Sequence, residues 1–178
     1  MTENNENINS SEDKLIKKHW YKKPSNIIIL SAIILLLIFN YNFTFVIVNG
    51  ESMEPNYTDG NFLLAERQYK YLSRFDVVVV NSKAANKVLI KRIIGLPGDE
   101  IEYKDNQLFV NGEYVSDAYG SGYTNNFKVT VEEGTYFCLG DNRENSYDSR
   151  KYGVFSEKEI IAKIKGRRHL DIKNSQYN

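Results

Sequence analysis

Residues 76–99 read DVVVVNSKAANKVLIKRIIGLPGD, and this stretch decides the fold. Residues 76–80 and 87–94 are rich in valine and isoleucine, which favour strands, and a polar turn separates them. The segment 95–99 contains two glycines and a proline, and it ends the second run as a turn. We therefore predict two β-strands here rather than a helix.

The chain on both sides of this stretch continues as short strands and turns. Asn111-Gly112 is a strong signal for a two-residue hairpin. Ser156 and Glu159 form a capping box, which predicts the start of a helix. Because helical and strand patterns do not alternate, we predict a mainly β fold, an antiparallel, barrel-like domain. Further strands are predicted at residues 43–48, 61–65, 100–103, 107–110, 113–115, 128–131 and 136–139.

A long apolar stretch precedes these strands. Residues 24–50 contain no charged side chain, and their first half is almost wholly aliphatic. Because about 20 helical residues span a bilayer, we predict a transmembrane anchor over residues 24–42. A cleaved signal peptide is the competing interpretation, but no small-x-small cleavage site follows the stretch. The lysines before it predict a cytoplasmic N-terminus, with the rest of the chain outside; they are Lys14, Lys17, Lys18, Lys22 and Lys23.

Charge and cysteine content exclude several kinds of protein. Lys+Arg and Asp+Glu both total 23, so the charge balance gives no indication of nucleic-acid binding. The single cysteine, Cys138, excludes an internal disulfide and a metal site made of several cysteines. Nothing in the sequence indicates a metal or an organic cofactor. The 178 residues allow one domain with a sizeable core, together with tails.

A serine and a lysine are candidates for catalysis, because both histidines, His19 and His169, lie near the ends of the chain. Ser52, in the segment GESMEP, would need a base other than histidine to act as a nucleophile. Lys91 has apolar neighbours, and burial could lower its pKa from about 10.4 far enough for it to be that base. Each residue also has an ordinary interpretation, Ser52 as a turn residue and Lys91 as a lysine that protects an edge strand.

A third segment, residues 139–150, reads LGDNRENSYDSR and follows an apolar strand. Its ordinary interpretation is a solvated loop. Its functional interpretation is a hydrogen-bond network, in which Asp148 and Arg150 pair and the serines orient an amine.

Taken together behind the anchor, the three segments closely resemble type I signal peptidases of the short Gram-positive kind. Residues 52–55 are similar to the serine box of that family, residues 91–99 to its lysine box, and residues 140–153 to its final box. The resemblance extends from the anchor to about residue 165. It implies a membrane-anchored serine endopeptidase that cleaves signal peptides from exported preproteins.

The resemblance also implies roles for individual residues. Ser52 would be the nucleophile and Lys91 the general base, with Ser146 orienting the lysine amine. Asp148 and Arg150 would form an ion pair that shapes the site. The apolar pockets for small substrate residues would be lined by Val48, Met53, Tyr57, Leu89 and Ile90.

Two positions depart from the pattern of the family. Gly50 stands where some members carry a hydroxyl that helps to hold the oxyanion, so that side-chain donor is missing. Asn56 stands where the family usually has threonine, which affects a local hydrogen bond.

The expected organisation is a cytoplasmic tail (1–23), the anchor (24–42), an extracytoplasmic catalytic domain (43–170) and a C-terminal tail (171–178). The partners implied are signal peptides of exported preproteins, membrane lipid and the secretion translocase, with no nucleic acid. Self-cleaving SOS repressors share Ser/Lys chemistry, but they carry a DNA-binding helical domain where this chain has an anchor. A catalytically silent, membrane-tethered homologue that binds exported chains is the other alternative.

Overall fold

The computed structural model describes residues 24–166, so the two predicted tails and residues 167–170 lie outside the described part. The chain divides into two compact units, residues 1–41 and 42–178. In the first, helix α1 (Pro24–Asn42) has 19 residues and no buried side chain. Its length and composition are sufficient to cross a membrane, and it is the one such helix in the described range. It is therefore a candidate membrane anchor.

The second unit consists mainly of antiparallel β-structure, which confirms the predicted fold class. The strands are β1 (Phe43–Ile47), β2 (Phe62–Glu66), β3 (Val77–Ser82), β4 (Lys87–Gly95), β5 (Glu100–Lys104), β6 (Gln107–Val110), β7 (Glu113–Val115), β8 (Phe127–Thr130), β9 (Thr135–Leu139), β10 (Phe155–Ser156) and β11 (Ile160–Lys165). Seven of them form one sheet in the order β1-β2-β11-β3-β4-β9-β10, and four form a second in the order β7-β6-β5-β8. No closed barrel is formed within residues 42–166, so "barrel-like" applies only loosely.

The stretch 76–99 lies at the centre of the larger sheet. Strands β3 and β4 pair antiparallel, with Val78 opposite Lys91. The valines of β3 are buried on both faces of the sheet, Val77 and Val79 in one apolar cluster and Val78 and Val80 in another. A sheet covered on both faces explains why this strand is a continuous apolar run rather than an alternating one.

The predicted helix after Ser156 is wrong, although its capping box is present. The chain makes one 3₁₀ turn, Glu157–Glu159, and continues as strand β11. Strand β11 buries Ile160, Ala162 and Ile164 against the sheet at a period of two, and this tertiary packing prevails over the local helix signal. Conversely, the last two residues of the segment expected to be a loop, 139–150, begin a short helix, α2 (Ser149–Tyr152), which the Asp148 side chain caps.

Candidate active site

Ser52 lies in a loop that follows β1 and that we call the serine loop, residues 49–58. Gly50 has a φ of 87°, a conformation that favours glycine, and its N–H donates to Asp59 Oδ1 at 2.7 Å. The Ser52 carbonyl accepts a hydrogen bond of 3.1 Å from the Asn142 N–H. The serine loop is thus held by Asp59, just beyond its C-terminal end, and by the segment after β9.

Lys91 projects from β4 to Ser52. Its Nζ lies 2.6 Å from Ser52 Oγ and 3.0 Å from the Ile90 carbonyl oxygen. The residue is only 2% exposed, and this burial lowers the pKa of Lys91 to about 8, against an opposing effect of the Asp148 carboxylate. The structure therefore places a partly neutral amine at hydrogen-bonding distance from a serine hydroxyl, which is the arrangement that a Ser/Lys dyad requires.

The segment after β9, residues 140–148, forms the other side of the site, and we call it the polar loop. Its carboxylate Asp148 is fully buried and accepts two hydrogen bonds from Arg150, at 2.9 Å and 2.7 Å, and one from the Gly140 N–H. Burial alone would raise the pKa of Asp148, but these bonds, mainly those from Arg150, lower it. The predicted ion pair of Asp148 and Arg150 thus keeps the buried Asp148 carboxylate ionised close enough to the dyad to act on Lys91.

Ser146 is half-buried with its hydroxyl oxygen inside, and this hydroxyl forms no well-oriented hydrogen bond with Lys91 or with any other described residue. It lies close enough to Asp148 to help lower the pKa of that carboxyl. Gly140 packs directly against it, and a Cβ at Gly140 would overlap both the Ser146 hydroxyl and the Ser52 carbonyl oxygen. Glycine at this position therefore allows the polar loop to approach the serine loop.

A second buried ion pair lies next to the dyad. Arg92 Nε and Nη2 donate to the two carboxylate oxygens of Asp141 at 2.7 Å and 2.6 Å, and both side chains are at most 2% exposed. The Arg92 guanidinium also packs on the Tyr119 ring, 3.9 Å from its centroid. Asn56 donates to Asp141 Oδ2 at 3.0 Å and to the Tyr119 carbonyl oxygen at 2.8 Å.

A cleft of about 520 Å³ opens on the dyad. Of the predicted pocket residues, Val48, Met53, Leu89 and Ile90 line it, whereas Tyr57 lines a separate cavity of about 280 Å³. Within residues 24–166, no group of three or more His, Cys, Asp or Glu side chains could hold a metal ion. The cleft also presents residues that were not predicted: Glu51, Lys87, Asn145 and Tyr147.

Comparison with known proteins identifies the family. A family model described as signal peptidase, peptidase S26, matches residues 18–167. The chain belongs to the signal peptidase family. The resemblance to type I signal peptidases, and with it the assignment as a serine endopeptidase, is confirmed.

Similar signal peptidases come from Gram-positive bacteria. The chain is 37% identical over 174 residues to signal peptidase I of Bacillus amyloliquefaciens, covering 89% of this chain and 93% of the relative. It is 38% identical over 167 residues to signal peptidase I V of Bacillus subtilis (strain 168), covering 83% and 96%. A crystal structure of a signal peptidase I from Enterococcus faecalis V583 is 35% identical, covers 53% of this chain and 97% of that chain, and superposes with a TM-score of 0.50.

Some site residues of this signal peptidase were not found by sequence reasoning. Arg92 directly follows Lys91, and Asp141 is the second residue of the segment 140–153. Nothing in the local sequence indicates that Arg92 and Asp141 form an ion pair. Asn145 donates to Glu51 at 3.1 Å and so joins the two sides of the cleft, a contact between residues far apart in the chain. The sequence signal that could have identified these residues is their position: each is an ionisable or amide side chain next to a residue of a predicted motif.

Proposed function

We propose that this chain cleaves signal peptides from exported preproteins, with Ser52 as the nucleophile and Lys91 as the general base. The observation that carries the proposal is the 2.6 Å separation of Lys91 Nζ and Ser52 Oγ, with the amine buried. A lysine can accept a proton only when it is neutral, and burial lowers the pKa of Lys91 to about 8.

In the proposed reaction, Ser52 Oγ attacks the carbonyl carbon of the scissile bond while its proton passes to the neutral Lys91 amine. The Ser52 N–H stabilises the developing oxyanion, and Gly50 supplies no side-chain donor there. The Lys91 ammonium then protonates the leaving amine, and the peptide C–N bond breaks to leave an acyl-enzyme. Water attacks this ester while Lys91 takes one of its protons. The ester C–O bond then breaks to release the new carboxyl terminus, and the Lys91 ammonium returns the proton to Ser52 Oγ.

The neighbouring groups have positioning roles in this proposal. Ser146 orients the Lys91 amine, which requires its hydroxyl to turn toward Nζ from its position beside Asp148. Asp148 and Arg150 hold the end of the polar loop through their bidentate pair. Gly50 allows the backbone to turn into the cleft.

The cleft provides for an extended substrate with small residues. Strand β4 pairs with β9 only from Arg92 onward. Among the described strands, none pairs with that edge of its first half, Lys87–Lys91, and a substrate strand would pair there. Val48, Met53, Leu89 and Ile90 offer shallow apolar surfaces for side chains near the scissile bond. Tyr57, also expected there, supports the cleft from the core, where it lies in the same buried cluster as Met53.

The proposed location is the cell membrane, with α1 as a single-pass anchor, residues 1–23 cytoplasmic and the domain 43–170 extracytoplasmic, followed by a tail at 171–178. Membrane lipid is a partner that the surface of the β-domain supports. Phe45 and Phe62 stack at 4.8 Å on β1 and β2 and remain more than half exposed, as does Ile47. Such an apolar patch, directly after the anchor in sequence, suits a bilayer surface. The secretion translocase, as the source of the preprotein, is the other partner in this proposal.

The test of the dyad is preprotein cleavage by the full chain in liposomes, comparing wild type with Ser52→Ala and Lys91→Ala. We expect both variants to fold and to lose cleavage, because each lacks one reacting group. Lys104→Ala is the control, since it removes an exposed lysine at the end of β5, outside the cleft, and should retain cleavage. Substantial turnover by either dyad variant would contradict the mechanism, and binding of preprotein without turnover by the wild type would instead support a silent homologue.

A further inference from the structure

Asn56 links three segments of the β-domain that are distant in sequence. Its amide group donates to the Tyr119 carbonyl oxygen at 2.8 Å and to Asp141 Oδ2 at 3.0 Å. Tyr119 lies between β7 and β8, and Asp141 is the second residue of the polar loop. We propose that Asn56 is a positioning residue, which holds the serine loop in the geometry that Ser52 needs for attack; this inference rests on the proposed function.

The Asp141 carboxylate is a rigid point of attachment for the serine loop. It is fully buried, and the Arg92 guanidinium binds both of its oxygens. Arg92 is itself held by the Phe75 carbonyl oxygen at 2.8 Å and by the Tyr119 ring. A hydrogen bond to a buried, ion-paired carboxylate is stronger than one to a neutral acceptor. Asn56 therefore fastens a surface loop to a fixed element of the core.

The other contacts of the serine loop explain why this attachment bears on Ser52. The Ser52 carbonyl accepts from the Asn142 N–H at 3.1 Å, and the Glu54 carbonyl accepts from the Ser121 hydroxyl at 3.2 Å. These contacts and those of Asn56 all lead to the same two segments, residues 119–121 and 141–142. Without Asn56, the stretch beyond Ser52 keeps only the weaker of its links to those segments.

The chemistry of the side chain explains why asparagine suits this position. A carboxamide has two N–H donors on one nitrogen and can serve both acceptors at once, whereas a threonine hydroxyl has one donor. Asn56 does not line the cleft, so it does not act on the substrate directly. Its loss should therefore reduce kcat and leave KM nearly unchanged.

The experiment compares Asn56→Ala and Asn56→Thr with wild type in steady-state cleavage of a preprotein. We expect kcat to fall about tenfold in the alanine variant, because a displacement of the nucleophile well below 1 Å has this effect, and KM to change less than about twofold. The threonine variant should recover part of the loss, since it keeps one of the two hydrogen bonds. Asn126→Ala is the matched control, because the Asn126 side chain accepts from the Asp105 N–H at 3.0 Å, outside the serine loop and the cleft, and its kcat should match wild type.

A kcat for Asn56→Ala within about twofold of wild type, or an equal loss in Asn126→Ala, would overturn the inference. Hydrogen exchange provides a readout that does not depend on catalysis. In a Ser52→Ala background, Asn56→Ala should speed exchange at the Tyr57 and Asn142 amides, which are bonded within and to the serine loop. If the wild type has no peptidase activity, the proposed function fails by itself, and unchanged exchange at these two amides would separately overturn the role of Asn56.

Discussion

The pH dependence of cleavage is the most direct consequence of the buried amine. Burial lowers the pKa of Lys91 from 10.5 to about 8. At pH 7 about one-tenth of Lys91 is then neutral, compared with less than about one in a thousand for an ordinary lysine. Because only the neutral amine can accept the Ser52 proton, raising the pH from 7 to 9 should increase kcat/KM about tenfold. Above pH 9 the curve should be nearly flat.

The assay is cleavage of a preprotein by the full chain in detergent from pH 6 to pH 10.5, at substrate concentrations well below KM, where the rate reports kcat/KM of the free enzyme. Folding at each pH is checked by near-ultraviolet circular dichroism. Lys87→Met is the matched control. Since the Lys87 charge lowers the pKa of Lys91, its removal should move the rising limb slightly toward higher pH without abolishing cleavage.

Two results would refute this reasoning. A kcat/KM that keeps rising tenfold per pH unit past pH 9.5 would mean that the base titrates like an exposed lysine. A kcat/KM that is constant between pH 6 and pH 8 would mean that the titrating base is not Lys91.

Three substitutions test the energetics of the site. Lys91→Met should abolish cleavage yet raise the free energy of unfolding at pH 7 by on the order of 1–3 kcal/mol, measured by urea denaturation. The sign follows because the pKa of Lys91 is lower in the folded state than in the unfolded state. From about pH 8 to 10.5 the unfolded chain therefore binds a proton that the folded chain has lost. The wild type gains stability as the pH rises through this range, and the difference in stability between variant and wild type shrinks. A wild type that is more stable than the variant at pH 7 would contradict this. Gly140→Ala should lower kcat and cost about 1–3 kcal/mol by overpacking against Ser52 and Ser146, and a variant with wild-type kcat and thermal midpoint would argue against the close contact. Arg150→Ala should cost on the order of 3 kcal/mol, because it leaves the Asp148 carboxylate buried without its guanidinium, and an unchanged urea midpoint would exclude that role.

The strands were predictable because their signals are local. The valine run of β3 and the apolar run of β4 specify strands whatever surrounds them, and both occur where expected. The region after Ser156 was not predictable in this way. Its capping box is real, but the choice between helix and strand depends on the neighbouring strands β2 and β3, with which β11 pairs. Pairing between strands distant in sequence leaves no local trace.

The site residues likewise include some that local sequence patterns could predict and others that depend on contacts between distant segments. Ser52 and Lys91 were predicted because the motifs around them resemble a known family. Successive side chains of a strand point to opposite faces, so Arg92 points away from Lys91, to a face where a strand with one solvated side would expose it. Instead Arg92 is 2% exposed, because Asp141, Tyr119 and the serine loop cover that face. The ion pair that results could be seen only in three dimensions.

The two charged pairs around the dyad explain how the pKa of Lys91 can be lowered in a site that contains carboxylates. Burial lowers the pKa of Lys91, whereas Asp148 and Asp141 raise it, and the net direction is downward. Each carboxylate is bound by a guanidinium, Asp148 by Arg150 and Asp141 by Arg92, which offsets the negative charge that Lys91 would otherwise meet. Unpaired carboxylates at the same positions would favour the ammonium and oppose its use as a base. In the proposed mechanism the arginines would therefore help to keep Lys91 available as the base, although neither donates a hydrogen bond to Ser52 or to Lys91.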